Sequence, residues 1–446
     1  MKWFTSGFTV FVAVCLLASS ACSSTRLSEN VHKSTFSNGL RVLVKPEPGS
    51  GLVAISVIIR AGALEEEHTP GLGQVLSRTL FTGAKNLSGR KLAELSDEVG
   101  GSFAVTWDMD FSEVYIATTR EQLRPALEIL SEILLHPRFD PAMVETAKQE
   151  VQTQITSARE TAFRASYDEL RRLLYLESPY RRALLGSFRA VDGITPADLE
   201  KFVAQWFVPS NMVIAVVGDV TVEETLDGAR LWFSSKPAVN TPTRNVPRKE
   251  PGLSRPPSLL EIDTRASYVV AGTLAAGMGD EHYGADMVVA TILGGGKSSR
   301  MFQELREKRG LAYELGTLYP PLIYQSHLVA YVLAAPYEAI GRGQSQPTLE
   351  AIRAGLNETV LSLRDTPITE AELNRAKRYL IGRFILRHQR LNERARYLAW
   401  YESLGLGFGF DERYPQMIES VTLEQAQRSA DRLFRNSSMV LVVPKE

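Results

Sequence analysis

Ile194-Thr195-Pro196-Ala197-Asp198-Leu199, leading through Trp206-Phe207 to Met212-Val213-Ile214-Ala215-Val216-Val217, has a second version near the C-terminus. There Val421-Thr422-Leu423-Glu424-Gln425-Ala426 leads through Leu433-Phe434 to Met439-Val440-Leu441-Val442-Val443. The offset is constant across the block: 422 − 195 = 227 and 439 − 212 = 227. A capped helix followed by a closing strand thus ends each half of the chain, the mark of an internal duplication. With 446 residues the chain exceeds one ordinary core, since domains run to ~100–200 residues. Two lobes are expected, residues 34–235 and 258–446. Between them, residues 236–257 hold six prolines and few apolar side chains, the composition of a linker.

Working outward from the repeat, the first half carries grouped strand and helix signals. Asn38-Gly39 is a turn before Leu40-Arg41-Val42-Leu43-Val44, and Leu52 to Ile59 is a second apolar run ended by Gly62. Leu72, Val75, Leu76 and Leu80 recur at helical spacing. Ser88 caps another helix bearing Leu92, Leu95 and Val99, closed by Gly100-Gly101. Phe103 to Thr118 reads as strands, then Glu121 to His136 and Ala142 to Ser157 as helices. Strands grouped apart from helices predict an α+β fold, each lobe a mainly antiparallel β-sheet packed with helices.

Charge and the N-terminus bound the function. Lys plus Arg (50) nearly balances Asp plus Glu (51), for a formal net charge of −1. A nucleic-acid binder normally carries a basic excess, so no nucleic-acid partner is expected. Lys2, an apolar run from Phe8 to Ala18 and small residues Ser19-Ser20-Ala21 read as an export signal over 1–21. The run is too short to span a membrane, which takes ~20 apolar residues. Cys15 falls within the signal, so the exported chain retains only Cys22 and forms no internal disulfide. Small residues followed at once by Cys22 resemble a bacterial lipoprotein signal, with lipid on Cys22 and residues 22–33 as a polar tether. Ser19 stands where such signals usually carry Leu, and the alternative is plain cleavage after Ala21. Either way the protein is expected in the bacterial cell envelope, as a periplasm-facing lipoprotein or free in the periplasm.

The chemistry rests on Gly71-Leu72-Gly73-Gln74-Val75-Leu76-Ser77-Arg78-Thr79-Leu80-Phe81-Thr82-Gly83. This stretch resembles the zinc-binding helix of the pitrilysin/insulinase (M16) peptidases, G-L-x-H-x-x-E-H-x-x-F-x-G. In that motif two histidines at i and i+4 share a helical face and hold the metal, while the Glu between them activates bound water. Here Gln74 and Arg78 occupy the His positions and Ser77 the Glu position; the family's third ligand, a Glu on a later helix, falls near Gln154. Gln is a poor zinc ligand, Ser77 is no carboxylate base, and Arg78 puts a fixed positive charge where the cation would sit. None of the six histidines (His32, His68, His136, His282, His327, His388) belongs to another H-x-x-E-H. His68 follows Glu65-Glu66-Glu67, which reads as a solvated acidic loop. No catalytic and no metal-binding residue is therefore expected in this chain.

The second lobe keeps more of the pattern. Leu293-Gly294-Gly295-Gly296-Lys297-Ser298-Ser299-Arg300-Met301-Phe302-Gln303-Glu304-Leu305-Arg306-Glu307-Lys308-Arg309-Gly310-Leu311-Ala312-Tyr313 resembles a hallmark stretch of the family's C-terminal lobe. A phosphate-loop reading fails, because Thr291 stands where that motif needs Gly. Ser299 can cap a helix ended by Gly310. The resemblance implies that Arg306 and Tyr313, seven positions apart, contact peptide substrate; without it, Arg306 would complement the helix dipole and Tyr313 would pack in a core. Small members of this family can work as pairs of unlike two-lobed subunits, one carrying zinc and the other the Arg–Tyr pair. The resemblance thus implies a non-catalytic subunit of a heteromeric zinc peptidase, its partner a related M16 subunit with intact H-x-x-E-H that supplies the zinc. The competing reading is a peptide-binding or scaffolding envelope protein without peptidase activity. Ser178-Pro179-Tyr180 with Gly186, and Glu370 to Gly382, match the family as fold rather than chemistry.

Overall fold

The computed structural model describes residues 27–242, 244, 246, 249–252, 254–264, 267–334 and 349–445; the export signal and Cys22 lie outside the described residues. The first lobe runs β1 (His32–Thr35), β2 (Arg41–Pro46), β3 (Leu52–Ile59), α1 (Leu72–Thr79), α2 (Gly89–Glu98), β4 (Ala104–Trp107) and β5 (Ser112–Thr119). It continues through α3 (Leu123–Leu135), α4 (Pro141–Glu160), α5 (Ala162–Leu174), α6 (Phe188–Asp192), α7 (Pro196–Trp206), β6 (Met212–Gly218) and α8 (Val222–Phe233). The second lobe has β7 (Ser258–Ile262), β8 (Tyr268–Ala275), α9 (Tyr283–Gly294), a π-helical turn (Phe302–Lys308), β9 (Glu314–Leu318) and β10 (Ser326–Leu333). It ends with α10 (Leu349–Asp365), α11 (Glu370–Arg387), α12 (Leu391–Ser403), α13 (Phe410–Ser420), α14 (Leu423–Arg432) and β11 (Ser437–Pro444).

Local chemistry sets the boundaries of these elements. Gly39 takes φ 84° in the turn before β2, and its N–H donates to Phe36 O at 2.9 Å; only glycine enters that region without strain. Thr195 and Thr422 cap α7 and α14 and close capping boxes with Asp198 and Gln425. Each cap satisfies N–H groups the helix cannot, worth about 1 kcal/mol.

The duplication extends to the sheets. The first is ordered β1-β2-β6-β3-β5-β4 and the second β7-β11-β8-β10-β9. The closing strands β6 and β11 are equivalent: each lies parallel to one neighbour, β2 or β7, and antiparallel to the other, β3 or β8. All remaining ladders are antiparallel. One face of each sheet holds its own lobe's core, centred on residues such as Val57, Leu76 and Ile214 in the first and Val269, Leu293 and Ile352 in the second.

The opposite faces are covered by exchange. Helix α5 of the first lobe packs on β8 and β11 of the second, and α12 of the second packs on β3 and β6 of the first. Leu170, Leu173 and Leu174 are buried with Val270, Val329 and Val440. Ala395, Leu398 and Ala399 are buried with Ala54 and Ile58 of β3 and with Val213, Ala215 and Val217 of β6. The β6 residues alternate along the strand, so one face meets α12 while Ile214 and Val216 serve the lobe's own core. Each fully buried aliphatic side chain contributes roughly 1.5–3 kcal/mol, so the exchanged helices bind the lobes firmly together.

Polar ties reinforce the exchange. Glu250, from the segment between the lobes, is buried and accepts N–H donations from Leu176 at 3.0 Å, Glu177 at 3.0 Å and Ser178. Arg244, from the same segment, pairs with the buried Glu65 carboxylate at 2.7 Å. Buried Asp110 of the first lobe accepts from Tyr180 Oη at 2.5 Å and from the Ile323 N–H of the second lobe at 3.1 Å. No described helix is long and apolar enough to cross a membrane.

Candidate functional site

Helix α1 begins under tight packing. Gly71 takes φ 96°, and a Cβ on Gly73 would fall 1.7 Å from the Trp107 ring. Glu66 folds back onto this N-terminus and accepts from Gly71 N at 2.6 Å and Gly73 N at 2.9 Å, where the helix dipole favours an acid. Burial nevertheless pushes its carboxyl up to about 7, against the pull of those two N–H groups. Glu65 is also raised to about 7 by burial, against the charge of Arg244. The expected solvated acidic loop is thus corrected: Glu65 and Glu66 are buried structural groups, and only Glu67 and His68 face solvent. The run Glu65-Glu66-Glu67 carries no sign of this, because the partners Arg244 and the α1 N-terminus are supplied by folding.

The face of α1 bearing Gln74, Ser77 and Arg78 opens into a chamber of about 1270 Å³. Gln154, on α4, lines the same chamber. Arg78 joins the two helices: Nη2 donates to Gln154 Oε1 at 2.6 Å and Nη1 to the Gln74 carbonyl at 2.6 Å. Its Nε lies 3.5 Å from Glu150. Ser77 Oγ donates to the same Gln74 carbonyl at 3.0 Å. Burial lowers the Arg78 pKa from its ordinary value, against the charge of Glu150, but a guanidinium remains charged. A cation fixed to the protein therefore bridges α1 and α4. These residues do not fit a zinc ion: they offer no imidazole, thiolate or carboxylate triad. Among the described residues, no group of three His, Cys, Asp or Glu is placed to hold a metal.

The far wall of the chamber comes from the exchanged helix and the second sheet. Tyr167, Asp168 and Arg171 of α5 line it together with His327 of β10. His327 is fully buried between two phenols, Tyr167 Oη 2.8 Å from Nε2 and Tyr175 Oη 2.9 Å from Nδ1. Tyr175 Oη donates to Gln325 O at 3.0 Å, so its oxygen accepts from Nδ1–H and Nε2 accepts from Tyr167. Burial, with Arg171 nearby, lowers the His327 pKa well below its ordinary value. Burial likewise raises Tyr167 to about 12. Sequence reading missed this group, since its members lie 327 − 167 = 160 residues apart and carry no motif.

Arg306 and Tyr313 are brought together at the π-helical turn: Arg306 Nη1 donates to the Tyr313 carbonyl at 2.6 Å, and its guanidinium lies 5.4 Å from the Phe302 ring. Tyr313 is 52% exposed. Neither residue lines the chamber at Gln74 and Arg78. Ser299 accepts from Phe302 N at 3.3 Å and Gly310 takes φ 62°, the cap and stop of this segment. Wide turns of this kind occur mostly as local bulges, often at functional positions.

Two family profiles match the chain: "Insulinase (Peptidase family M16)" over residues 41–187 and "Peptidase M16 inactive domain" over residues 193–380. The chain belongs to peptidase family M16. It is 28% identical to an uncharacterized zinc protease of Mycobacterium leprae, over 91% of this chain and 90% of that one. An uncharacterized zinc protease of Bacillus subtilis is 26% identical over 93% and 98%. Among solved structures, a protease from Helicobacter pylori matches with TM-score 0.84 and 22% identity, covering 93% of this chain and 99% of that one. A peptidase M16 inactive domain from Pseudomonas fluorescens matches with TM-score 0.80 and 21% identity, over 94% and 99%. This M16 chain has the family's two-lobed α+β fold without its zinc motif.

Proposed function

We propose that this M16 chain is the non-catalytic subunit of a heteromeric zinc peptidase, holding peptide for a partner subunit with intact H-x-x-E-H. The observation that carries the reading is Arg78, whose guanidinium occupies the place between α1 and α4 and bonds Gln74 and Gln154. A chain that had merely lost one ligand would leave a partial site; here every position is replaced by a group that bonds its neighbours. The partner would supply the zinc and the base. This chain would contribute the exposed Tyr313 phenol and the Arg306 guanidinium, donors suited to a peptide carbonyl, and hold the strand in register.

The test is peptide hydrolysis with zinc by this chain, by its zinc-motif relative, and by the two mixed. Activity confined to the mixture is expected. Arg306→Ala should lower kcat/KM of the mixture by about tenfold or more, the worth of one charged hydrogen bond, while the subunits still co-elute. A relative equally active alone would overturn the paired reading and favour a peptide-binding scaffold. In the envelope, a lipid on Cys22 would hold the assembly at the membrane; metabolic labelling with a fatty acid, lost in Cys22→Ser, tests that separately.

A further inference from the structure

Helix α11 is the second-lobe counterpart of α4, and its outer face is strongly basic. The equivalence follows from the buried positions: Val144, Ala147 and Val151 of α4 answer to Leu373, Ala376 and Leu380 of α11. The offset is the same each time, 373 − 144 = 376 − 147 = 380 − 151 = 229. Asp140 and Thr369, the two N-caps, share it. The same offset carries the chamber-lining residues Gln154, Ser157, Ala158 and Thr161 onto Arg383, Leu386, Arg387 and Arg390. A polar, nearly uncharged stripe in the first lobe thus becomes a basic one in the second.

Between Asn374 and Arg390 the sequence holds six Lys or Arg residues and no Asp or Glu, in a chain of net charge −1. Arg375, Arg378, Arg383, Arg387 and Arg390 are all exposed. Arg375 and Arg378, three apart, are neighbours on the helix surface; further along, Arg383 is a neighbour of both Leu386 and Arg387, and Arg390 follows just beyond the helix end. Arg383 donates to the Tyr379 hydroxyl at 3.0 Å and Arg387 bonds the Tyr397 side chain; none of the five pairs with a carboxylate among the described residues. Elsewhere on this surface arginines commonly find one, as Arg353 does with Glu350 and Arg230 with Asp227. Apolar groups stand among them: Tyr379 is 37% exposed, Ile385 52% and Leu386 63%. Guanidiniums without carboxylate partners, set around exposed apolar side chains, suit a ligand with both carboxylates and hydrophobic groups.

We propose that this face of α11 is a docking surface for acidic polypeptide segments, with the arginines taking Asp and Glu side chains and Leu386 and Tyr379 taking apolar ones. A lipid surface fits less well, because the continuous apolar side of α11, at Leu373, Ala376 and Leu380, is buried in the lobe core and is not available to acyl chains. The surface would serve the substrate-holding role proposed above and in that respect rests on it. Its test requires no partner subunit, so the two readings can fail separately.

The experiment is fluorescence anisotropy of the full chain carrying Cys22→Ser, titrated against labelled peptides of about 20 residues rich in Glu and Leu, or in Lys and Leu. The acidic peptide should bind at least about tenfold more tightly, weakening as salt screens the charges. Combining Arg378→Glu, Arg383→Glu and Arg390→Glu should abolish that preference. Leu386→Ser should weaken binding several-fold while leaving the salt dependence in place, and it guards against a triple variant that fails to fold. Equal binding of both peptides, or acidic-peptide affinity unchanged in the variants, would overturn the proposal. So would tighter binding to phosphatidylglycerol vesicles or to a single-stranded oligonucleotide than to the acidic peptide.

Discussion

Arg78 replaces a metal-bridged contact with a hydrogen-bonded one. Its guanidinium takes Gln154 and Gln74 at the helix pair where family members assemble two His and a Glu. The backbone that presents these positions is intact, which yields a direct prediction. Converting Gln74→His, Ser77→Glu, Arg78→His and Gln154→Glu together should create a site taking about one zinc per chain, measured by equilibrium dialysis and metal analysis. Arg78→His alone should bind none, because Gln74 and Gln154 remain. The roles of Gln74, Ser77 and Arg78 were legible in the sequence, since ligand chemistry at i and i+4 is a local property. The bond from Arg78 to Gln154 joins residues 76 apart and required the fold to bring α1 and α4 together.

At the scale of elements, α1 depends on a missing side chain. Trp107 of β4 lies against Gly73, so a Cβ there would sit 1.7 Å from the ring, and Trp107 is itself buried at 7% exposure. Gly73→Ala should therefore cost about 3 kcal/mol or more through overpacking, read as a lower urea midpoint. Gly382→Ala in α11, with nothing within 4 Å of the added Cβ, should instead stabilise by about 0.5–1 kcal/mol. The capped helices α2, α7 and α14 were readable from Ser88, Thr195 and Thr422, because a cap acts within three residues. The burial of Glu65 and Glu66 was not, since carboxylates at consecutive positions look solvated until distant partners are known. The α11 stripe has no meaning until its equivalence with α4 places it.

For the whole molecule, the lobes are joined by exchanged helices and by buried polar groups between them. His327 is one contact among these whose titration bears on stability. Its native pKa lies well below the ordinary value, while an unfolded chain titrates near ~6.5. Below about pH 6.5 the unfolded state therefore binds a proton that the native state does not, and stability falls with pH by up to ~1.4 kcal/mol per unit. His327→Gln should be less stable by about 1–2 kcal/mol at pH 7, and the deficit should shrink as pH falls to about 5, measured by urea denaturation of both proteins. A deficit independent of pH would rule out the titration of His327 as its source. The sequence by itself determined that there are two related lobes, that several helices start at named caps, that each lobe closes on a helix and a strand, and that the zinc ligands are gone. Those properties depend on caps, periodicity and side-chain chemistry over a few residues. Only the tertiary structure decided that α5 and α12 change places, that Arg78 closes on Gln154, and that Tyr167, His327 and Tyr175 meet across the lobes. Burial and long-range pairing depend on which distant surfaces exclude water from one another, and no local pattern encodes that.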